Sequence, residues 1–158
     1  MKQRMFTPGP TPIHEEVARA MAAPMPHHRT DEFIDCMQSA QQLLQRVYRT
    51  KNPVILLSAS GTGAMEAAVV NLTKPGETVI YASGGKFTER WGEILRTYGR
   101  NAHEVPVAWG DVLTPEGVHD AIEKTRATAV FITHSETSTG ALCDLQQIAR
   151  VARDRGAL

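Results

Sequence analysis

Three short segments of this sequence carry side chains that could bind a ligand or take part in a reaction. They are residues 58–63 (Ser-Ala-Ser-Gly-Thr-Gly), residues 83–87 (Ser-Gly-Gly-Lys-Phe) and residues 133–140 (Thr-His-Ser-Glu-Thr-Ser-Thr-Gly). Each segment follows a short apolar run that is typical of a buried strand. Because ligands of open α/β sheets bind beyond the carboxyl ends of the strands, the three segments are predicted to face one crevice.

The first segment is predicted to bind a phosphate or a similar anion. At a strand-to-helix junction, backbone N–H groups and the positive end of the helix favour negative charge, and Ser60 and Thr62 add hydroxyl donors. The glycines allow the backbone to approach the ligand. The spacing matches neither the dinucleotide-binding pattern G-x-G-x-x-G nor the P-loop pattern. A tight turn with capping hydroxyls, without any ligand, is the alternative interpretation.

The second segment presents an aromatic side chain and a lysine. Phe87 could offer its face to a flat ligand ring, although a core position at the head of a helix is the simpler explanation of one aromatic residue. Lys86 could contact a phosphate or act as a nucleophile, but an exposed, solvated lysine is the simpler explanation.

The third segment places seven polar residues in a row before Gly140. Packing does not explain such a run, so the segment is predicted to form the polar floor of a site, although its side chains could also satisfy one another around a buried turn. A Ser/His/Glu hydrolase is not expected, because the G-x-S-x-G nucleophile elbow is absent. No metal site is expected either, because His27 and His28 lack a ligand partner at the right spacing.

The elements that must position these segments alternate along the chain. An arm with three prolines precedes a short helix, for which Thr11 is the predicted cap and Pro12 the first position. Further helices are predicted at 31–49, 64–72, 87–98, from Pro115 after a Thr114 cap, and after Asp144. Strands are predicted at 54–57, 78–82, 103–107 and 128–133. This alternation predicts an α/β fold with a mostly parallel sheet and helices on both faces.

Composition excludes several classes of protein. The 158 residues include 17 Lys and Arg and 17 Asp and Glu, so the balanced charge gives no reason to expect a nucleic-acid or acidic-membrane partner. The apolar runs are far shorter than the ~20 residues of a membrane span, and the first residues lack the apolar region of a secretory signal. Two distant cysteines, Cys36 and Cys143, indicate a reduced, cytoplasmic protein without a disulfide framework.

Five motifs in order resemble the class V, fold-type I aminotransferases that use pyridoxal phosphate, particularly the alanine-glyoxylate and serine-glyoxylate group. Together they cover essentially the whole chain. They are Thr-Pro-Gly-Pro-Thr-Pro at 7–12, His28-Arg29 followed by Phe33, Ser-Gly-Thr-Gly-Ala-Met-Glu-Ala-Ala at 60–68, Gly-Lys-Phe at 85–87 leading into Arg90, and His-Ser-Glu-Thr-Ser-Thr-Gly at 134–140.

The resemblance implies a role for residues of four of these motifs. Three residues would hold the cofactor phosphate at the start of a helix, namely Ser60, Gly61 and Thr62. Phe87 would stack on the pyridine ring, Thr137 would lie near the 3-hydroxyl of the ring, and Gly9 would lie near the substrate entrance. The parent enzyme would move an amino group from a small amino acid, such as alanine or serine, to a 2-oxo acid such as glyoxylate. It would act as a homodimer or with a complementary fragment.

The resemblance places the family's catalytic residues beyond residue 158. These are an aspartate that pairs with the pyridine nitrogen, the Schiff-base lysine and an arginine for the substrate carboxylate, and no lysine of this chain matches the Schiff-base position. Residues 1–30 are accordingly interpreted as an arm with a short helix, and residues 31–158 as the first part of the large cofactor-binding domain, without the rest of that domain or the small domain. Such a chain alone is expected not to transaminate.

Two alternatives to the aminotransferase stay open. One is another enzyme of the same fold, a cysteine desulfurase or lyase, which the residues present separate poorly from an aminotransferase. The other is a non-catalytic half-domain that binds a phosphate-bearing ligand.

Overall fold

The structure, a computed structural model, describes residue 5 and residues 9–158. Contacts divide the chain into two units, residues 1–58 and residues 59–158. In its described part the first unit contains two helices, α1 (Glu15–Met21) and α2 (Asp31–Tyr48). The Thr30 hydroxyl begins α2 by accepting a hydrogen bond from the Phe33 N–H at 3.4 Å, and Arg49 ends it in the left-handed conformation. The predicted helix at 31–49 is confirmed.

Two predictions for the first unit are wrong. Helix α1 is not capped by Thr11, because the chain stays irregular through Ile13 and the Nδ1 atom of His14 accepts the capping bond from the Glu16 N–H. Residues 54–57 form no strand, and their Ile and two Leu side chains are exposed. A strand needs a neighbour to pair its backbone and cover its side chains, and no described strand pairs with this run.

The second unit alternates helices and strands as predicted. Its elements are α3 (Gly61–Leu72), β1 (Thr78–Ala82), α4 (Lys86–Thr97), β2 (Asn101–Val105), α5 (Pro115–Thr125), β3 (Ala129–Phe131), β4 (Ser135–Glu136), β5 (Ala141–Leu142) and α6 (Leu145–Asp154). The predicted bounds of β1 are confirmed, as are the Thr114 and Asp144 caps of α5 and α6. Strand β2 lies two residues earlier than predicted, and α3 begins three residues earlier.

The sheet of the second unit is parallel. Its strand order is β2-β1-β3, with Ile80 of β1 opposite His103 of β2 and Val130 of β3. Beyond β3, the Leu158 N–H donates to the Thr128 carbonyl and the Leu158 carbonyl accepts from the Val130 N–H, each at 2.9 Å. Leu158 therefore lies beside β3 as a residue of a further parallel strand would. The short strands β4 and β5 form an antiparallel hairpin of their own.

Both faces of the sheet are covered, because the side chains of β1 alternate between two cores. Val79 and Tyr81 pack with α3 and α4, whereas Ile80 and Ala82 pack with α5 and α6. Val79 and Ile80 have no exposed surface, and full burial of such a side chain contributes about 1.5–3 kcal/mol to stability. The predicted fold class, a mostly parallel α/β sheet between helices, is confirmed.

A buried arginine holds the carboxyl end of α3. The Arg100 guanidinium donates through Nε to the Thr73 hydroxyl at 2.9 Å, and through Nη2 to the carbonyls of Val69 at 3.2 Å and Thr73 at 2.6 Å. The Thr73 carbonyl is an acceptor that the end of a helix leaves without an intrahelical partner, and the positive charge suits the negative end of the helix dipole. In the part of the chain that the structure describes, no helix is both long and apolar enough to cross a membrane.

Candidate cofactor site

A pocket of about 470 Å³ opens in the second unit where β1 and β3 end and α3 and α4 begin. This volume is in the range of small-molecule sites. All five residues predicted to bind the cofactor line it, namely Ser60, Gly61, Thr62, Phe87 and Thr137. The structure therefore brings together the three segments that sequence reasoning placed at one crevice. Their roles toward a cofactor remain predictions.

One wall of the pocket is the amino end of α3. Ser60 is the cap residue by its extended backbone, yet its side chain makes no capping hydrogen bond. Its carbonyl accepts the Gly63 N–H at 2.9 Å, whereas the N–H groups of Gly61 and Thr62 have no hydrogen-bond acceptor among the described residues. This helix end thus offers unpaired donors and a positive dipole to whatever occupies the pocket.

Arg90 of α4 also lines this wall. Its Nη1 atom donates to the Thr62 hydroxyl oxygen at 2.9 Å, and its guanidinium carbon lies 5.5 Å from the centroid of the Phe87 ring. No ion pair to Arg90 occurs among residue 5 and residues 9–158. Because the Thr62 oxygen accepts from Arg90, its own hydroxyl proton is available for an acceptor in the pocket.

The amino end of α4 is occupied by the carboxylate of Glu136, only 3% of whose surface is exposed. One carboxylate oxygen accepts the N–H groups of Phe87 at 3.0 Å and Thr88 at 2.9 Å. The other accepts the N–H of Ser138 at 3.0 Å and its hydroxyl at 2.7 Å. Burial alone would raise the pKa of Glu136, but the hydrogen bonds from Ser138, Thr88 and Phe87 outweigh it and hold the pKa below its usual value. The carboxylate is therefore ionised at neutral pH.

Gly85 makes room for this carboxylate. A Cβ atom at position 85 would lie 2.3 Å from the Cγ atom of Glu136, which is far inside van der Waals contact. The Ser138 hydroxyl in turn accepts the Lys86 N–H at 3.0 Å. The turn between β4 and β5 and the start of α4 are thereby joined through the buried Glu136 carboxylate and the Ser138 hydroxyl.

The aromatic residue of the pocket is exposed rather than packed in a core. Phe87 is 39% exposed and lines the pocket, so the simpler interpretation of Phe87 as a core residue is wrong. Trp91, one helical turn later, takes the core position by stacking on Phe131 with ring centroids 4.7 Å apart. The Trp91 indole N–H is buried and has no acceptor in the described part of the chain.

Alternate residues of the polar segment 133–140 have two different roles. Thr133, Ser135 and Thr137 line the pocket, whereas Glu136 and Ser138 bond to each other and to the start of α4. Both interpretations of this segment, a polar floor and a self-satisfied turn, therefore hold for different residues of it.

Two residues discussed from the sequence do not join the pocket walls. Lys86 begins α4, its side chain is 58% exposed and it forms an ion pair with Glu89 at 3.9 Å, which matches its interpretation as a solvated lysine. Gly9 lies in the first unit, so its predicted place near the substrate entrance stays a prediction.

Sequence reasoning missed the roles of Glu136 and Arg90. The partners of Glu136 are backbone groups 48 and 49 residues away, which no local pattern reveals. The one local signal for Glu136 was that its carboxylate stands between two hydroxyl residues in an otherwise uncharged run. Arg90 was part of one of the motifs. It lies three residues after Phe87, and residues at this spacing are expected on the same face of a helix.

The donors of the pocket fit a ligand with a phosphate group and a flat ring. Two hydroxyls, two unpaired backbone N–H groups and a guanidinium suit an anion with several acceptor oxygens, and the adjacent Phe87 face suits an aromatic ring. No group of three or more His, Cys, Asp and Glu side chains among the described residues could hold a metal ion.

Comparison with known proteins identifies the family. The model of the family described as Aminotransferase class-V matches residues 10–158. The chain is a class-V aminotransferase family member. This confirms the identification made from the five motifs.

Two solved structures share the fold of this chain, and a further relative is similar in sequence. The chain is 39% identical to an aspartate aminotransferase of subgroup IV from Thermus thermophilus, with a TM-score of 0.91 over 99% of this chain and 44% of that one. It is 34% identical to an alanine–glyoxylate aminotransferase from Nostoc sp., with a TM-score of 0.89 over 96% of this chain and 41% of that one. A protein of Synechococcus sp. named soluble hydrogenase, small subunit, is 37% identical over 98% of this chain and 41% of its own length. The chain thus spans about two fifths of these relatives.

Proposed function

We propose that this chain supplies the pyridoxal-phosphate-binding part of an aminotransferase. The whole enzyme would move an amino group from a small amino acid, alanine or serine, to a 2-oxo acid such as glyoxylate. The observation that carries the proposal is the amino end of α3, whose unpaired donors share one pocket with an exposed aromatic face. Family membership supplies the reaction class.

Different residues of the pocket bind different parts of the cofactor. Ser60, Gly61 and Thr62 hold the phosphate, which is fixed by the N–H groups and hydroxyls of the helix end. Phe87 supports the ring on one side, and Thr137, which lines the same pocket, bonds an oxygen substituent of the ring. When bound, pyridoxal phosphate supplies a ring that withdraws electrons from the α-carbon of the substrate.

The proposed amino donors, alanine and serine, do not include every donor for which the relatives are named. One solved relative is named for alanine and glyoxylate, and another for aspartate. Alanine, serine and aspartate are therefore compared as donors with glyoxylate as acceptor, in an assay of the intact protein that measures glycine formation. Transfer from alanine or serine supports the proposal, whereas release of sulfide from cysteine without any transfer would favour the desulfurase alternative. We also propose that the whole enzyme is a cytoplasmic homodimer, which sedimentation and cell fractionation test.

Binding is tested by titrating the intact protein with pyridoxal phosphate and with pyridoxal, which lacks the phosphate. Thr62→Val should weaken binding of pyridoxal phosphate about tenfold or more, because a hydrogen bond to a charged group contributes about 1.5–3 kcal/mol. Binding of pyridoxal should change little. Thr114→Val is the matched control, since Thr114 caps α5 and does not line the pocket. Equal weakening by both substitutions would contradict the proposed phosphate site.

A further inference from the structure

One carboxylate joins the two segments that form the ring-binding side of the pocket. Glu136 accepts the Phe87 N–H at 3.0 Å, so it fixes the backbone of the residue whose ring faces the pocket. Thr137 is the next residue in the chain after Glu136, and both Phe87 and Thr137 line the pocket. The position of the Glu136 side chain therefore influences where Phe87 and Thr137 lie relative to each other.

The charge of Glu136 is balanced by backbone and hydroxyl donors rather than by a cation. No ion pair to Glu136 occurs in the part of the chain that the structure describes, and its four hydrogen bonds come from Phe87, Thr88 and Ser138. Hydrogen bonds to an ionised acceptor are roughly twice as strong as neutral ones. The junction is therefore rigid while the carboxylate is charged and buried.

This junction has no direct bond to the anion-binding wall. The partners of Glu136 belong to α4 and to the segment 133–140, whereas the unpaired donors belong to the start of α3. The ring side of the pocket is thus held through Glu136, whereas the phosphate side is formed by the start of α3 and by Arg90, which bonds Thr62 and lies 5.5 Å from the Phe87 ring centroid.

We propose that Glu136 is a positioning residue for the aromatic ring of the ligand. Its carboxylate holds Phe87 and Thr137 at the separation that the ring requires, and it leaves the anion-binding residues at the start of α3 unaffected. This inference rests on the proposed function of the pocket. It concerns a residue that touches the ligand only through its neighbours.

The substitution Glu136→Gln isolates the charge, because it preserves the size of the side chain. The single oxygen of the amide can still accept from Phe87 and Thr88. The NH₂ group then faces the Ser138 N–H, so two donors oppose each other and the N–H loses its acceptor. The hairpin is expected to move away from the start of α4.

The experiment measures the affinities of the intact protein for pyridoxal phosphate, pyridoxal and inorganic phosphate by calorimetric titration. Glu136→Gln should weaken binding of both ring-containing ligands about tenfold or more, since the loss of hydrogen bonds to a charged, buried acceptor has an effect of this size. Binding of inorganic phosphate should be unchanged. Glu89→Gln is the matched control on the same helix, because Glu89 pairs with Lys86 and Trp109 and does not line the pocket.

Other results of this titration would contradict the inference or the proposed function. Equal weakening for all three ligands would show that Glu136 acts only on general stability, and unchanged affinities would show that it positions nothing; either result overturns the inference. If Glu136→Gln does not fold, Ser138→Ala removes one bond to the same carboxylate and should weaken pyridoxal several-fold without changing phosphate binding. Failure of the unaltered protein to bind either ring-containing ligand would overturn the proposed function itself.

Discussion

Two helix amino ends meet at one pocket, and they are treated in opposite ways. At α4 the protein fills the anion position with its own carboxylate, Glu136, which accepts two backbone N–H groups. At α3 the cap residue Ser60 makes no side-chain bond, and no carboxylate is paired with the adjacent Arg90 among the described residues. Helix ends of the same chemistry are therefore closed by the protein itself in one case and left open to a ligand in the other. The difference lies in whether the chain provides its own anion.

The largest expected effect concerns the glycines at the two helix ends. Gly85→Ala should lower the free energy of unfolding by about 3 kcal/mol, because the added Cβ displaces Glu136 and combines overpacking with the loss of a helix cap. Gly61→Ala should leave stability unchanged or raise it by up to ~1 kcal/mol, since nothing lies within 4 Å of its added Cβ. Urea unfolding of both variants measures the difference. Equal destabilisation would mean that the two ends are built alike.

The next effect concerns the cation beside α3. Arg90→Gln should weaken binding of inorganic phosphate about tenfold at low salt, because it removes a charged donor that bonds Thr62 and has no carboxylate partner in the described residues. Lys86→Gln removes the same charge from an exposed position on the same helix, so it should change phosphate affinity much less. Calorimetric titration at low and high salt compares the two variants. A similar loss in both would indicate long-range charge rather than a local site.

A smaller effect should appear on acidification. Because the folded-state pKa of Glu136 lies below its ordinary value of 4.5, its ionisation stabilises the fold above that pH, and this contribution is lost as the pH falls through the folded-state pKa. The stability difference between the unaltered protein and Glu136→Gln should therefore be constant near neutral pH and shrink below about pH 4.5. Urea unfolding across the acid range measures it, with Glu93→Gln on the exposed face of α4 as the charge-matched control. A difference that grows in acid would have the wrong sign.

The smallest effect is local and needs no substitution. In hydrogen exchange, the amides of Phe87 and Thr88 should be protected, because Glu136 accepts both. The amides of Gly61 and Thr62 should exchange rapidly and become protected when phosphate or pyridoxal phosphate is added. If the α3 amides are already protected without a ligand, the contrast between the two helix ends does not exist in solution.

Local patterns were sufficient for most elements of the second unit. Strand β1 was predicted with its observed bounds because an apolar run lies between two glycine-containing turns, and the Thr114-Pro115 pair marks the start of α5 in sequence as in structure. The run at 54–57 has the same apolar character but forms no strand. A strand depends on a pairing partner, which the run itself does not encode. The two-residue strands β4 and β5 are too short to show any periodicity.

The residues that line the pocket could be predicted where their chemical type or their motif is distinctive. Ser60, Gly61 and Thr62 follow from the chemistry of a glycine- and hydroxyl-rich helix start, and Thr137 from its motif. Phe87 was ambiguous because a single aromatic residue is more often core, and only the three-dimensional arrangement shows that Trp91 fills that place instead. The long-range pairing of Glu136 with the start of α4 was beyond any sequence pattern.

The bonds between Arg100 and the carboxyl end of α3 also matter for ligand geometry. Twelve residues at about 1.5 Å each make α3 a rod of about 18 Å. A tilt of about 5° around the anchored end would displace the opposite end by about 1.5 Å, more than the roughly 0.5 Å tolerance of a preorganised site. The position of the amino end of α3 relative to a bound anion therefore depends in part on how the carboxyl end of this helix is held. Arg100 holds the fixed end of a lever whose free end is the proposed anion-binding site.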